Sequence, residues 1–474
     1  MVKRRIAAYI VCVCMMLSLC ACTAAGEEAA RWIEVEYKKS DLKAEWDEKD
    51  VVSISLGGNQ AEITGGGAYL EGNVLVIGSK GDYLLTGEFD GRIVVAADKD
   101  DKVRLILGGV KLTSADSAAV FISKADKATI TLAGGRENTI VSGANLLVEK
   151  DEELDAAIYS KADLVINGSG GLNVDSPAGH GILSKDDLRL IDGQITVNAA
   201  QDGVRGRDAI QMMGGKLSIV AGGDGMKSNN DEDADRGYIS IDGGEIGISA
   251  GEDGIQAETT LQILDGLVNI KDSYEGMEAQ YMRIAGGEIH VHAQEDGLNA
   301  AGGDEGETSR NPFAAGHQSL LITGGILHIN AAGDGIDSNG ALHFAGGEVY
   351  VSGPTGRGNG ALDSSGEMKI SGGVLLATGS SDMAGAPQAD GQVSTMIDLK
   401  QAQPGGAAVS VRNAAGEELA AFTPEKEWTN IVISVLGAAE GEEIQLYVND
   451  ALVAAEKAGQ GAGRGMKGPG GWFR

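Results

Sequence analysis

Apolar and polar residues alternate in short runs along most of the chain. Leu188-Arg189-Leu190, Ile195-Thr196-Val197, Ile289-His290-Val291 and Leu342-His343-Phe344 each show a period of two, which predicts strands with one buried face. The runs recur around a shared element: Asp202-Gly203-Val204, Asp224-Gly225-Met226, Asp253-Gly254-Ile255, Asp296-Gly297-Leu298 and Asp334-Gly335-Ile336. His180-Gly181-Ile182 and Glu275-Gly276-Met277 are variants of it. The apolar member falls at 158, 182, 204, 226, 255, 277, 298, 336 and about 362, and the commonest step is 22 residues. Longer steps hold insertions, the acidic run 231–235 and the polar run 303–317 with Pro312. Two places after the apolar residue stands a small one, as at Ser160, Ser184, Gly206, Ser228, Ala257 and Ala279. A turn such as Asp192-Gly193, Gly214-Gly215 or Gly286-Gly287 then separates two alternating pieces.

Three short strands per 22 residues, with no helical segment between them, predict an all-β solenoid, a single-stranded parallel β-helix. Its coils would stack at the usual strand spacing of about 4.8 Å. A sandwich of hairpins also explains Asp-Gly and Gly-Gly turns. It does not explain why one residue type returns at one place in every repeat. The repeat weakens toward the N-terminus, where Ser123-Lys124-Ala125-Asp126 copies Ser160-Lys161-Ala162-Asp163 and strand-like pieces lie at 74–77, 93–95 and 103–107. Residues 149–153 read as another insertion. Beyond about 380 the pattern changes. Pro387, Pro404 and Pro424 appear among strands at 408–411, 431–435 and 444–448, as expected of a C-terminal β cap over the last coil. The expected layout is a signal peptide at 1–21, a polar tether at 22–50, the parallel β-helix at 51–395, a β region or cap at 396–455 and a Gly-rich, basic, disordered tail at 456–474.

Composition sharpens this. The 474 residues include 73 glycines and only 7 prolines, which suits sharp corners between strands whose N–H groups are nearly all bonded. Collagen is excluded, and 42% apolar residues exclude a disordered acidic tail. A net charge of −31 excludes nucleic acid as a partner. Lys3, Arg4 and Arg5 precede an apolar stretch at 6–21 that is too short for a comfortable membrane span. It ends in Leu19-Cys20-Ala21-Cys22, which resembles a bacterial lipobox and implies a lipid on Cys22; an ordinary secretory signal or a weak membrane anchor is the alternative. The expected place is the extracellular face of the cell membrane, anchored there by Cys22. All four cysteines lie in this segment, so no disulfide is expected in the mature chain.

Stacking turns repeat positions into columns. One place after the inward apolar residue stand Arg205, Lys227 and Gln256, and three places after it stand Lys161, Lys185, Arg207, Asn229, Glu258 and Gln280. The corner column is acidic: Asp202, Asp224, Asp253, Glu275, Asp296 and Asp334. Lys161, Lys185, Arg207 and Lys227 form a basic cluster that could take the carboxylates of an acidic glycan; salt bridging to its neighbours Asp187, Asp208, Asn229 and Asp231 on a solvated face is the equal alternative. Carboxylates stacked about 4.8 Å apart repel, and Ca²⁺ relieves that repulsion with loose oxygen coordination. The candidate calcium ligands are Asp187, Asp202, Asp208, Asp224, Asn229, Asp231 and Asp253, against the alternative that each corner Asp caps its own turn. Zinc is disfavoured, because His290-x-His292 is explained by strand alternation. No nucleophile elbow and no phosphate loop is present, so no nucleotide is expected. Aromatic residues are only 4%, and no stacking platform for sugars is evident.

Four runs carry a resemblance: "ADKDDKVRLILGGV" (97–110), "SKADKATITLAGGRENTI" (123–140), "SKDDLRLIDGQITV" (184–197) and "DGMKSNNDEDADRGYISIDGGEIGISAGEDGIQAE" (224–258). Over roughly residues 50–450 the chain resembles the bacterial carbohydrate-binding domain-containing protein family. The resemblance implies a right-handed parallel β-helix similar to pectate lyases, secretion or lipid anchoring, calcium binding, and binding of cellulose and polygalacturonate. It raises Lys185, Asp186, Asp187, Asp224, Lys227, Asn229, Asn230, Asp231 and Asp253 as motif positions. Two function classes stay open. One is a non-catalytic polysaccharide-binding protein. The other is a Ca²⁺-dependent polysaccharide lyase with Lys185 or Arg207 as base. An adhesin without a sugar ligand is a third, weaker reading.

Overall fold

A computed structural model describes residues 32–144, 146, 148–149, 152–302 and 316–459. The expected signal peptide at 1–21, Cys22 and the tail from 460 onward lie outside the described residues. The described chain is all-β; its one helical element is a single turn, Glu48–Asp50.

From residue 120 to 352 each repeat contributes to three ladders whose members pair in parallel with the next repeat, and Ile255–Ile263 and Met277–Ile284 each run through both the first and the second. A first ladder runs through Ala156–Ser160, His180–Ser184, Val204–Gly206, Met226–Ser228 and onward to Ile336–Ser338. A second contains Lys127–Leu132, Asp163–Asn167, Asp187–Leu190, Ala209–Met212 and Tyr238–Ile241. The third contains Gly171–Ser176, Gln194–Ala199, Lys216–Ala221, Glu245–Ala250, Leu267–Asp272, Glu288–Ala293 and Ile326–Ala331.

The repeat seen in the sequence is the register of the first ladder. Ile182, Val204, Met226, Ile255, Met277, Leu298, Ile336 and Leu362 are consecutive Cα partners. Each is at most 1% exposed. Burying one such side chain contributes about 1.5–3 kcal/mol, so a slip by one residue would turn a continuous apolar column to solvent. Insertions leave the register intact: Met226 still pairs with Ile255 across the acidic loop, and Leu298 with Ile336 across a run that lies outside the described residues.

Two glycine columns serve different ends. At the turn before the third ladder, Gly193, Gly215, Gly244, Gly266, Gly287, Gly325, Gly347 and Gly373 all have φ between 82° and 124°, a conformation that disfavours a Cβ. The glycines of the Asp-Gly element have no positive φ. There the reason is space: a Cβ on Gly203, Gly225, Gly254, Gly276 or Gly297 would lie 2.2–2.8 Å from the carbonyl oxygen of the next glycine in the column. Positive φ thus explains one column of corners, and close approach between coils explains the other.

The first coils are closed by antiparallel hairpins, Val52–Gly58 with Gln60–Thr64 and Ala68–Glu71 with Val74–Ile77. At the other end, Trp428–Ser434 pairs antiparallel with both Val374–Gly379 and Thr395–Gln403. A separate four-stranded antiparallel sheet comprises Val409–Asn413, Glu418–Phe422, Glu443–Val448 and Ala451–Lys457. Trp428, Val411, Ile433 and Leu446 belong to a second hydrophobic cluster in this region.

The tether expected over 22–50 differs in its later part. Residues 37–47 lie along the outward face of the second ladder as a strap. Asp41, fully buried, forms an ion pair with the buried Lys127. Asn167 Nδ2 donates to the Asp41 and Lys43 carbonyls at 2.7 and 3.1 Å. Arg104 donates to the Lys43 and Glu45 carbonyls at 3.2 and 3.1 Å. Low apolar content hid this, because the strap is held by polar contacts.

Candidate functional site

The outward side chains of the first ladder follow from strand alternation: one place after each inward apolar residue the side chain points away from the interior of the coil. Read coil by coil, that row is Leu183, Arg205, Lys227, Gln256, Glu278, Asn299, Asp337 and Asp363. Beside it runs the corner column His180, Asp202, Asp224, Asp253, Glu275, Asp296 and Asp334. The face changes along its length from apolar to basic to acidic.

The corner carboxylates are held by the neighbouring coil. Asp202 Oδ1 accepts the Asp224 N–H at 3.1 Å, and Asp224 Oδ1 accepts the Asp253 N–H at 2.9 Å. Asp253 accepts from Glu275 N–H at 3.4 Å, Asp296 from Asp334 N–H at 2.6 Å, and Asp334 from Gly360 N–H at 2.5 Å. These acids therefore cap the next coil's corner rather than their own turn. One oxygen of each is fixed, and the other is presented to the outward row.

In the N-terminal half the chain supplies its own cations. Asp202 lies 3.5 Å from Arg205 and 3.2 Å from His180. Burial pushes the Asp202 carboxyl up, but His180 holds it on balance below its ordinary value. Lys227 Nζ bonds Asp224 Oδ2 at 2.5 Å. Arg205 donates to Asn229 Oδ1 at 3.2 Å. Asp208 accepts from Asn230 at 2.6 Å and pairs with Arg236. Asp187 pairs with Arg189 at 2.5 Å. Arg207 pairs with Glu232 at 2.5 Å. Asp231 is exposed on its loop. Lys161 and Lys185 lie 5.7 Å from the ring centroids of Phe121 and Tyr159. Of the expected calcium ligands, Asp187, Asp202, Asp208, Asp224 and Asn229 are thus engaged by the chain's own cations or amides. The expected basic cluster is largely absorbed as well. Asp253 lies among carboxylates, with no basic partner among the described residues.

The C-terminal half is different. Asp253 is pushed up by burial and then by the charges of Asp224 and Glu275, against opposing bonds from the Glu275 N–H and Glu278, and Glu278 is pushed up by burial and then by Asp253. Glu275 is pushed up to about 7, first by burial and then by Glu278 and Asp296 against the opposing bond from Asn299. Asp334 is pushed up to about 7 and Asp337 to about 6, by burial and then by neighbouring acids. Among the described residues, no basic group is among the leading influences on any of them. Asp334, Asp337 and Asp363 each bring a carboxylate oxygen within 4.8 Å of the others. Asn299, 9% exposed, sits between Glu278 and Asp337 in the ladder. Its Nδ2 donates to Glu275 Oε2 at 3.0 Å, which fixes the amide orientation. Its buried Oδ1 has no partner among the described residues, nor has Gln256 Oε1. An all-oxygen donor set with unpaired charge fits a hard divalent cation such as Ca²⁺.

Sequence reading noted Glu275, Asp296 and Asp334 as corner acids but missed Glu278, Asn299, Asp337 and Asp363. The signal was available. Extending the row of Arg205, Lys227 and Gln256 by the same count reaches all four.

A sequence model of the carbohydrate-binding domain-containing protein family matches residues 71–308. A carbohydrate-binding domain-containing protein of Acetivibrio thermocellus is 36% identical over 122 residues, which are 25% of this chain and 43% of the relative. The chain therefore spans less than half the length of that relative. A solved structure of the polysaccharide lyase-like protein from C. thermocellum, a gadolinium derivative, is 29% identical. The match covers 50% of this chain and 93% of that one, with a TM-score of 0.45. The family match takes in half of the sequence, including the coils in which the corner column passes from paired to unpaired carboxylates, and the chain belongs to the carbohydrate-binding domain-containing protein family.

Proposed function

We propose that the protein is a calcium-binding, non-catalytic polysaccharide-binding protein of the cell surface, held there by a lipid on Cys22. Its proposed ligands are plant cell-wall glycans, acidic pectin or polygalacturonate and cellulose. The observation that carries the reading is the unpaired carboxylate half of the first ladder. Asp334, Asp337 and Asp363 converge within 4.8 Å, and the orphaned Asn299 oxygen lies in the adjoining row. These residues would hold the ion, and Asp253, Glu275 and Glu278 form a second acidic group two coils away. Bound calcium supplies the positive charge that lets an acidic glycan approach a chain of net charge −31. The family membership and the relative's printed name support carbohydrate as the ligand class.

The lyase alternative needs a base beside the metal. Lys185 and Arg207 stand on coils preceding the unpaired acids, and Arg207 is held by Glu232. No specific observation favours that reading over binding.

The test is retention of the full chain on polygalacturonate in Ca²⁺ and in EGTA, with ultraviolet detection of unsaturated product. Retention lost in EGTA without product is the expected result. Retention that EGTA leaves unchanged refutes calcium bridging, and product lost on Lys185→Ala establishes a lyase. For the anchor, Cys22→Ser should move the protein from the membrane fraction to the medium.

A further inference from the structure

The acidic half of the first ladder is more extended than a single ion needs. It presents carboxylates or amides on every successive coil, at the corner from Asp253 to Asp334 and in the outward row from Gln256 to Asp363, and among the described residues no basic group is among the leading influences on its shifted acids. Two buried amide oxygens, on Asn299 and Gln256, lack donors among the described residues. Asn299 is the sharper case, because its nitrogen is committed to Glu275 and its oxygen is only 9% exposed with its residue. The face therefore calls for a partner that brings positive charge and hydrogen-bond donors together. It must also repeat along a straight line at about the coil spacing of 4.8 Å.

A divalent ion brings charge to one or two coils but no donors. A polymer of amino sugars brings both. Each unit carries an ammonium group and hydroxyls, and the length of one sugar is close to one coil. Ammonium–carboxylate hydrogen bonds are among the stronger polar contacts, and several on one chain act together. We propose that the metal-free acidic face, from Asp253 and Glu278 through Asn299 to Asp337 and Asp363, binds a cationic amino-sugar glycan directly, and that divalent cations compete with it. The same face then takes opposite glycans in its two states. With metal it favours uronates, and without metal it favours glucosamine polymers. The inference shares its site with the calcium reading but does not require it.

The test measures binding of the full chain to glucosamine hexamer in EDTA by calorimetry, at a pH where the sugar amines are charged. The fully N-acetylated hexamer, which has the same shape without the charge, is the control. The expected result is binding of the first and not the second, weakened about tenfold by Glu278→Gln with Asp337→Asn and weakened progressively by added Ca²⁺. Both substitutions keep side-chain shape and remove mutual repulsion, and a thermal melt checks the fold. Glu440→Gln with Glu443→Gln removes the same charge from exposed positions in the C-terminal region and should leave affinity within about twofold. Equal loss in both double variants would reduce the effect to net charge and overturn the site. Absence of binding, or indifference to Ca²⁺, overturns the proposal as well. Polygalacturonate binding in Ca²⁺, measured on the same preparation, reports separately on the calcium reading.

Discussion

Asp334→Asn should stabilise the metal-free protein at neutral and alkaline pH. Asp334 keeps one oxygen on the Gly360 N–H, so an amide oxygen in its place preserves the corner bond. Its carboxyl is pushed up from 3.8 to about 7, first by burial and then by Asp296, Asp337 and Asp363. A raised carboxyl pKa means that the folded state holds its proton more tightly than the unfolded chain. Stability therefore falls as pH rises from about 4 to about 7, and the penalty is complete above that. A shift of about three units has a ceiling of about 4 kcal/mol. The residue is partly exposed, and screening brings the effect to on the order of 1–2 kcal/mol. Glu275 and Asp337, with Asp253 and Glu278, act in the same direction. Asp41 and Asp202 are held below their ordinary values, so their contribution is present above about 4 and lost only at lower pH. His328, lowered by burial and by His290, contributes stability that is lost as pH falls below about 6.5, and it partly opposes the trend there. The assay is thermal unfolding by circular dichroism in EDTA from pH 5 to 8, repeated at pH 8 with Ca²⁺. Wild type should melt lower at pH 8 than at pH 5 and recover with Ca²⁺. Asp334→Asn should melt a few degrees higher than wild type at pH 8 and respond less to Ca²⁺. A variant that melts below wild type at pH 8 in EDTA would refute the reasoning.

Three further outcomes follow from the geometry. Asp41→Ala leaves Lys127 charged and buried and should cost about 3–5 kcal/mol in urea unfolding, whereas Asp41→Leu with Lys127→Met should recover most of it. Gly254→Ala would place a Cβ 2.5 Å from the Gly276 oxygen and should strongly destabilise the stack, while Gly247→Ala, with nothing nearer than 4.0 Å, should be near neutral in the same denaturant series. Lys227→Met strips Asp224 of its cation and extends the unpaired acidic row by one coil; in EDTA it should lose about 1–3 kcal/mol, and the gain on adding Ca²⁺ should exceed that of wild type.

The repeating coil was legible because one apolar residue must return to the inside once per turn, and Ile182, Val204, Met226 and Ile255 record that return in linear order. Period-two alternation likewise determined which side chains face out, so the acidic column was visible as Asp before Gly. The sequence alone did not reveal the pairing of charges. Lys227 neutralises Asp224 three residues away, and Arg236 reaches back to Asp208 from the far side of an insertion. Whether a carboxylate is satisfied thus depends on loops whose paths have no period. That is why most of the expected ligands fell at 187–231, while of the acids with no basic partner among the described residues Asp253 was expected and Glu275, Glu278, Asp334, Asp337 and Asp363 were not. The strap was hidden for a related reason: the Asp41 carboxylate is met by Lys127 and the Asp41 carbonyl by the Asn167 amide, and no hydrophobic pattern marks it. Local sequence determined the coil, its corners and its outward columns, because those depend on neighbours at fixed spacing. Tertiary structure decided which charges are already answered, because electrostatic pairing depends on distance in space and on burial.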